Sequence, residues 1–253
     1  MIDLTTFVEA SLLISLRIVP TLAFAPPFTL LRVPAVVRVM IAFSLAAWIV
    51  SAFPSQTSDV MRASPGLLAA VVAELTIGIA MSLTLQMAFA AILTVGRLID
   101  LQAGFAFALL ADPTTKAQLP LVGMIFAYCT GALFFMTNGP ASLLAIWATS
   151  VEHLPLGAAL GSDAVPVLLT FIGSVFVIAL GAGGLILVVL LLIDLSIAFM
   201  SRTLPQMNVL FLGFQVKTIA TLALLPIAIS TSSALFLRMT QFALTTTLDL
   251  VSP

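Results

Sequence analysis

Five stretches of the chain, 39–58, 75–96, 117–151, 164–193 and 218–237, contain no Asp, Glu, Lys or Arg. Each has the ~20 residues that a helix needs to cross the hydrocarbon core of a bilayer. A run without charge has no solvated face to offer. Its backbone must pair within the segment, and its side chains must meet lipid or other apolar protein. The runs are continuous rather than alternating, which argues against a membrane β-barrel. A sixth candidate, 7–26, is interrupted by Arg17 and Pro20. The expected class is all-α: an integral membrane protein of about six hydrophobic helical segments.

The scarcity of charge excludes several functions. Only 8% of the 253 residues are charged and 62% are apolar, where soluble domains carry about 25% charged residues. An ordinary soluble enzyme is excluded, as is a disordered tail. The formal net charge of -1 gives no footprint for a nucleic acid. Cys129 is alone and lies in an apolar run, so it reads as a small core residue. The N-terminus, Met1-Ile2-Asp3, leads with an acid and lacks a small-residue cleavage site. The first apolar segment is therefore expected to stay in the protein.

Turn residues mark the connectors: Ala25-Pro26-Pro27 and Val33-Pro34, the stretch 54–65, Asp112 to Lys116, His153 to Gly157, and Leu204 to Asn208. Basic residues distribute unevenly among them. Arg32, Arg38, Arg97, Lys116, Arg202 and Lys217 fall in or beside odd connectors, against Arg62 and Arg238 on the other side. That bias predicts odd connectors facing the cytoplasm and both termini outside.

Catalytic chemistry finds no residues to carry it. His153 is the only histidine, and it sits in a connector beside Glu152. No His/Cys/Asp group has metal-ligand spacing, and no phosphate loop appears, so no cofactor is expected. Ionisable residues within apolar segments are better leads, because placing one in lipid costs at least ~2.5 kcal/mol. These are Arg17, Glu74, Arg97 and Asp194. Glu74 lies one turn from both Ala70 and Gly78, a small-residue surface through which it can face another helix. Asp100 is three residues past Arg97, within reach on one helix face. Such charges suit either an ion path or buried pairs that set helix register. A small-molecule secondary transporter is the competing reading, but matched midplane carboxylates and an internal repeat are not evident. Gly123, Ala127 and Gly131, and Gly173, Gly181, Gly183 and Gly184, provide small-residue surfaces for close helix contact.

One stretch resists the helix-and-connector scheme: Gly104-Phe105-Ala106-Phe107-Ala108-Leu109-Leu110-Ala111-Asp112-Pro113. It is too short to span and too apolar for a solvated loop. It suits either a re-entrant plugging loop or a short interfacial helix with a turn.

These residues also carry a resemblance. Arg17, Ala25-Pro26, Val33-Pro34-Ala35-Val36-Val37-Arg38, Glu74-Leu75-Thr76-Ile77-Gly78, Gly96-Arg97-Leu98-Ile99-Asp100-Leu101-Gln102-Ala103-Gly104, Asp112-Pro113, Asn138-Gly139, Leu154-Pro155-Leu156-Gly157 and Pro205-Gln206-Met207-Asn208-Val209 occur in one order along nearly the whole chain. In that order they resemble the FliR/SctT family of type III secretion export-gate proteins. Departures from the flagellar pattern are Pro140 where His is common, Gln215 where Pro is usual, and Arg97 where Gln is frequent.

The resemblance implies a hetero-oligomeric pore complex of bent helical hairpins, standing largely above the bilayer plane. The membrane proteins FliP, FliQ and FlhB would be its partners, and unfolded flagellar subunits its transient cargo. Residues 1–165 would be the FliP-like part and 166–253 a FliQ-like hairpin. The location would be the bacterial inner membrane, within the flagellar basal body. A loop at about 104–118 would plug the pore, with Gly104, Phe105, Phe107, Leu109, Leu110, Asp112 and Pro113 as its principal residues. Arg17, Glu74, Arg97, Asp100, Asp194 and Lys217 would be charges at contacts between subunits.

Overall fold

The computed structural model describes residues 4–30, 33–54, 66–105, 120–203 and 209–251, and among these there is no β-strand. Among the described residues seven helices follow one another: α1 (Leu4–Phe24), α2 (Ala35–Ala52), α3 (Leu67–Ala103), α4 (Leu121–Met136), α5 (Gly139–His153), α6 (Ala164–Thr203) and α7 (Val209–Asp249), with a 3-10 turn at Phe28–Leu30. Five are long and apolar enough to cross a membrane, and α4 with α5 makes a sixth as a broken pair. The chain is an all-α membrane protein, as its charge-free runs imply.

The helices outrun those stretches. Those with 37, 40 and 41 residues, α3, α6 and α7, extend ~55–60 Å at 1.5 Å per residue. A hydrocarbon core is ~30 Å thick. Arg38, Arg97, Arg202 and Lys217, expected in or beside odd connectors, therefore lie inside helices α2, α3, α6 and α7, as does Arg238 in α7. Helical propensity is high for Arg and Lys, so a charge ends an apolar run without ending the helix.

Local sequence explains where helices do stop. Past α1, the Arg38 guanidinium donates from Nη1 to the carbonyls of Leu22 and Ala23, at 3.3 and 2.6 Å, covering acceptors that a helix C-terminus leaves unpaired. At the end of α3, Gly104 has φ +88°. Its N–H donates to the Leu101 carbonyl at 3.2 Å, and the Phe105 N–H to that of Asp100 at 2.9 Å, the paired closure that a left-handed glycine allows. Between α4 and α5, Asn138 takes φ +59°, a region Asn tolerates, and Pro140 enters the first turn of α5, where its missing N–H costs nothing.

Contacts divide the chain into two compact units, interleaved in sequence: Met1–Ala88, Phe134–Gly173 and Thr240–Pro253 form the first, Phe89–Leu133 and Ser174–Met239 the second. In the first, Ile14 and Ile18 of α1, Ile49 of α2 and Ile77, Met81 and Leu85 of α3 are buried. Thr84 and Thr247 share a buried 2.6 Å hydrogen bond, and Phe171 stacks on Phe242 at 5.1 Å. In the second, Phe126 meets Phe236 at 5.4 Å, and Ser232 Oγ donates to the Ala182 carbonyl at 2.9 Å. The stripe of Gly123, Ala127 and Gly131 is buried here, so it is used for contact within the chain.

Candidate functional site

Arg17 and Glu74 are the most confined charges of the first unit, with side chains wholly buried. Gly78 brings α3 against α1 at this level: a Cβ there would stand 2.7 Å from the carbonyl oxygens of Leu16 and Arg17. Pro20 removes the N–H that would otherwise pair with the Leu16 carbonyl. Arg17 Nε donates to Glu74 Oε2 at 2.7 Å and Nη2 to Oε1 at 2.9 Å, the two-pronged geometry that favours arginine over lysine. Nη1 donates to both the carbonyl and Oγ of Ser150, at 2.8 and 3.0 Å, and Nη2 to the Leu154 carbonyl at 3.1 Å. All five guanidinium N–H groups thus have acceptors. Glu74 Oε1 also accepts the Gly157 N–H at 2.9 Å. Gly157, at φ +79°, is the third residue of a turn closed by Ala158 N–H donating to the Pro155 carbonyl at 2.9 Å.

This network joins α1, α3, the last turn of α5 and the connector after it. The resemblance implies contacts with other subunits for Arg17 and Glu74. The structure pairs them with each other instead, because burial of either charge requires a partner and this chain's own α1 meets α3 at Glu74 and Gly78. Ser150, Leu154 and Gly157 complete the network without being among the candidate site residues the sequence singles out. Ser150, a hydroxyl near the end of a charge-free run, was a readable signal; the two backbone groups were not.

In the second unit the charges behave differently. Lys217 pairs with Asp194, but their side chains keep 19% and 41% of their exposure. Exposed Leu191, Leu195, Phe214 and Val216 lie beside them in sequence. Arg97 is exposed, and among the described residues it forms no ion pair with Asp100. Asp100 is buried, its Oδ1 accepting the Val122 N–H at 3.2 Å, while Oδ2 has no hydrogen-bond partner among the described residues. The first turn of a helix presents unpaired N–H donors, which draw a carboxylate, and α4 begins at Leu121. The contact is made possible by glycine, since a Cβ on Gly96 would stand 2.0 Å from the Gly123 Cα. Asp100, Gly96 and Gly123 therefore bind together the two ends of the stretch suspected as a plug.

Of that stretch, Gly104 and the half-buried Phe105 are placed, at the close of α3. Phe107, Leu109, Leu110, Asp112 and Pro113 lie outside the described residues. Among the described residues no group of three or more His, Cys, Asp or Glu is placed to hold a metal.

Comparison with known proteins supplies the wider context. The family model described as bacterial export proteins, family 1, matches residues 8–243. The flagellar biosynthetic protein FliR of Escherichia coli K12 is 31% identical over 201 residues, 79% of this chain and 76% of that protein. The protein of the same name from Bacillus subtilis 168 is 31% identical over 226 residues, covering 87% of this chain and 86% of its own. The secretion system apparatus protein SsaT of Salmonella typhimurium LT2 is 27% identical over 162 residues, 62% of each chain.

Proposed function

The chain belongs to the bacterial export proteins of family 1 and is a membrane component of a type III protein-export apparatus; on that premise we propose that it is a pore-forming structural subunit of the flagellar export gate. Its work is architectural. It would assemble with FliP and FliQ, and with FlhB, in the bacterial inner membrane of the flagellar basal body, and pass unfolded flagellar subunits outward. Residues 1–165 would occupy a FliP-like place in the assembly and 166–253 a FliQ-like one. The observation that carries this reading is the 31% identity to a FliR over 87% of the chain. Physical support comes from α3, α6 and α7, which are about twice as long as one crossing requires and expose Leu101, Val188, Leu192, Phe211 and Ile219. Apolar surface on helices that extend past the bilayer needs protein to cover it.

Within that assembly the stretch 104–118 would close the pore. Phe105, Phe107, Leu109 and Leu110 would exclude water and ions by dewetting, and Gly104 and Pro113 would bound the segment that a substrate displaces. Replacing residues 105–111 by Gly and Ser should raise ion leak through the assembled gate, while an unchanged leak in complexes of normal composition would refute the plug. The assignment as a whole is tested by native mass spectrometry of the tagged chain made with FliP and FliQ. One copy in a mixed complex is expected. A stable homo-oligomer that ignores both partners would favour a secondary transporter. The identity to SsaT leaves an injectisome counterpart as the second reading, separable by complementation of a motility defect against a secretion defect.

A further inference from the structure

In the first unit, α5 runs back along α1. Phe28, just past α1, meets Phe134 and Phe135, just before α5, at 6.1 and 6.0 Å. Arg17 reaches Ser150 and Leu154 at the far end of α5. Along α1, Thr21 lies one turn past Arg17; along α5, Trp147 lies one turn before Ser150. At 1.5 Å per residue these steps are ~6 and ~4.5 Å, taken in the same direction because the helices are antiparallel. Spacings of four and three residues keep each side chain on the face that carries the Arg17 contact. Thr21 and Trp147 therefore stand at one level of the α1–α5 contact, one turn beyond the Arg17–Glu74 network.

Thr21 is 0% and Trp147 3% exposed. Each keeps a buried polar atom, Oγ1 and Nε1, without a hydrogen-bond partner among the described residues. Helical threonines elsewhere in the chain turn their hydroxyl back to the carbonyl four residues earlier: Thr130 to Phe126 at 2.8 Å, Thr221 to Lys217 at 2.8 Å and Thr247 to Ala243 at 2.7 Å. Thr21 makes no such bond to Arg17, which leaves its hydroxyl to the space between the helices. An indole N–H can only donate, and in a buried tryptophan it ordinarily finds an acceptor. Arg38 Nε, a third such atom in this unit, belongs to a guanidinium already seated on the Leu22 and Ala23 carbonyls at the end of α1.

We propose that one buried water molecule bridges these residues, accepting the Trp147 indole N–H and donating to the Thr21 hydroxyl oxygen. A metal cation cannot accept the indole N–H. A halide would bury an uncompensated charge, since Arg17 and Glu74 already neutralise one another. Water is neutral, both accepts and donates, and commonly joins buried polar groups of a protein interior in this way. It carries the polar contact between α1 and α5 one turn past Ser150, so that hydrogen bonds hold these helices at two levels. The proposal is independent of the export function.

The test uses the full chain in lipid bilayers with isotope-labelled tryptophan, read by solid-state NMR. The chain has two tryptophans, so Trp48→Phe, at an exposed position of α2, leaves Trp147 as the single indole signal. A cross-peak between the Trp147 indole proton and water is expected. Thr21→Val, which replaces the hydroxyl by a methyl of the same shape, should lose it, and Thr21→Ser should keep it. A chain with Thr21 intact that shows no water cross-peak would overturn the proposal; a hydrogen-bonded indole shift in that case would mean a direct bond from Trp147 to Thr21. A cross-peak that survives Thr21→Val, or is lost in Thr21→Ser, would also overturn it, because the water would then depend on some other group. Should Thr21→Val not fold, a cross-peak from the same water to the Thr21 hydroxyl proton decides the matter, its presence supporting the bridge and its absence refuting it.

Discussion

Two ion pairs in one chain show what burial does to charge. Arg17–Glu74 is sealed, two-pronged, and tied to three backbone groups and a hydroxyl. Lys217–Asp194 is a single contact between half-open side chains on helices whose flanks are apolar and exposed. The first is complete before any other protein arrives, so it belongs to the folding of the chain. The second retains unused hydrogen-bonding capacity, since a carboxylate accepts more than one donor and an ammonium gives three. On that ground we propose Asp194 and Lys217 as a contact point for another subunit.

The sharpest way to break this contrast is to remove one member of each pair. Arg17→Gln or Glu74→Gln leaves a buried charge without its partner and should cost ~3–5 kcal/mol. Thermal unfolding of the detergent-purified chain would show it, or the folded chain would fail to accumulate. Exchanging the two residues should not rescue, because a carboxylate at position 17 would face the carbonyls of Ser150 and Leu154. Recovery of wild-type stability in the exchanged variant would mean that the charges matter and the backbone contacts do not.

Glycine contacts come next in size. Gly78→Ala in the first unit and Gly96→Ala in the second push a methyl against backbone at 2.7 and 2.0 Å. Overpacking of this kind costs ~1–3 kcal/mol. Gly96→Ala should also loosen the Asp100–Val122 contact, read as faster amide exchange at the start of α4 than at its middle. Equal exchange along α4 would separate the glycine contact from the cap.

Asp194→Asn should change the stability of the isolated chain little, by ~0–1 kcal/mol, as for other exposed pairs. Its effect is expected in assembly: Asp194→Lys should lower co-purification with FliP and FliQ. Full recovery of the complex would remove Asp194 from the interface. The smallest effect belongs to Gly184→Ala, since nothing lies within 4 Å of the added methyl. Helix propensity then raises stability by up to ~1 kcal/mol, measured as a slightly higher Tm. A fall instead would reveal a contact that the second unit makes outside the chain.

Much of the architecture was open to reading in one dimension. A run without charge is a helix in a membrane protein because no other element satisfies its own backbone there. Asn138-Gly139-Pro140 and Gly104 announce breaks through backbone conformations that few other residues adopt. The helix lengths were harder to see. Charges such as Arg97 and Lys217 look like boundaries, yet a long helix carries them past the apolar core without losing a hydrogen bond.

The sequence by itself determined the class, the number of apolar segments, the family resemblance and which charges needed an explanation, because hydrophobicity and turn chemistry act through neighbours along the chain. Only the tertiary structure decided their partners. Arg17 finds Glu74 57 positions away, and Asp100 takes the Val122 N–H while Arg97, three residues before it, stays exposed. Both choices depend on which helix faces pack together, and on which buried groups that packing leaves to be satisfied.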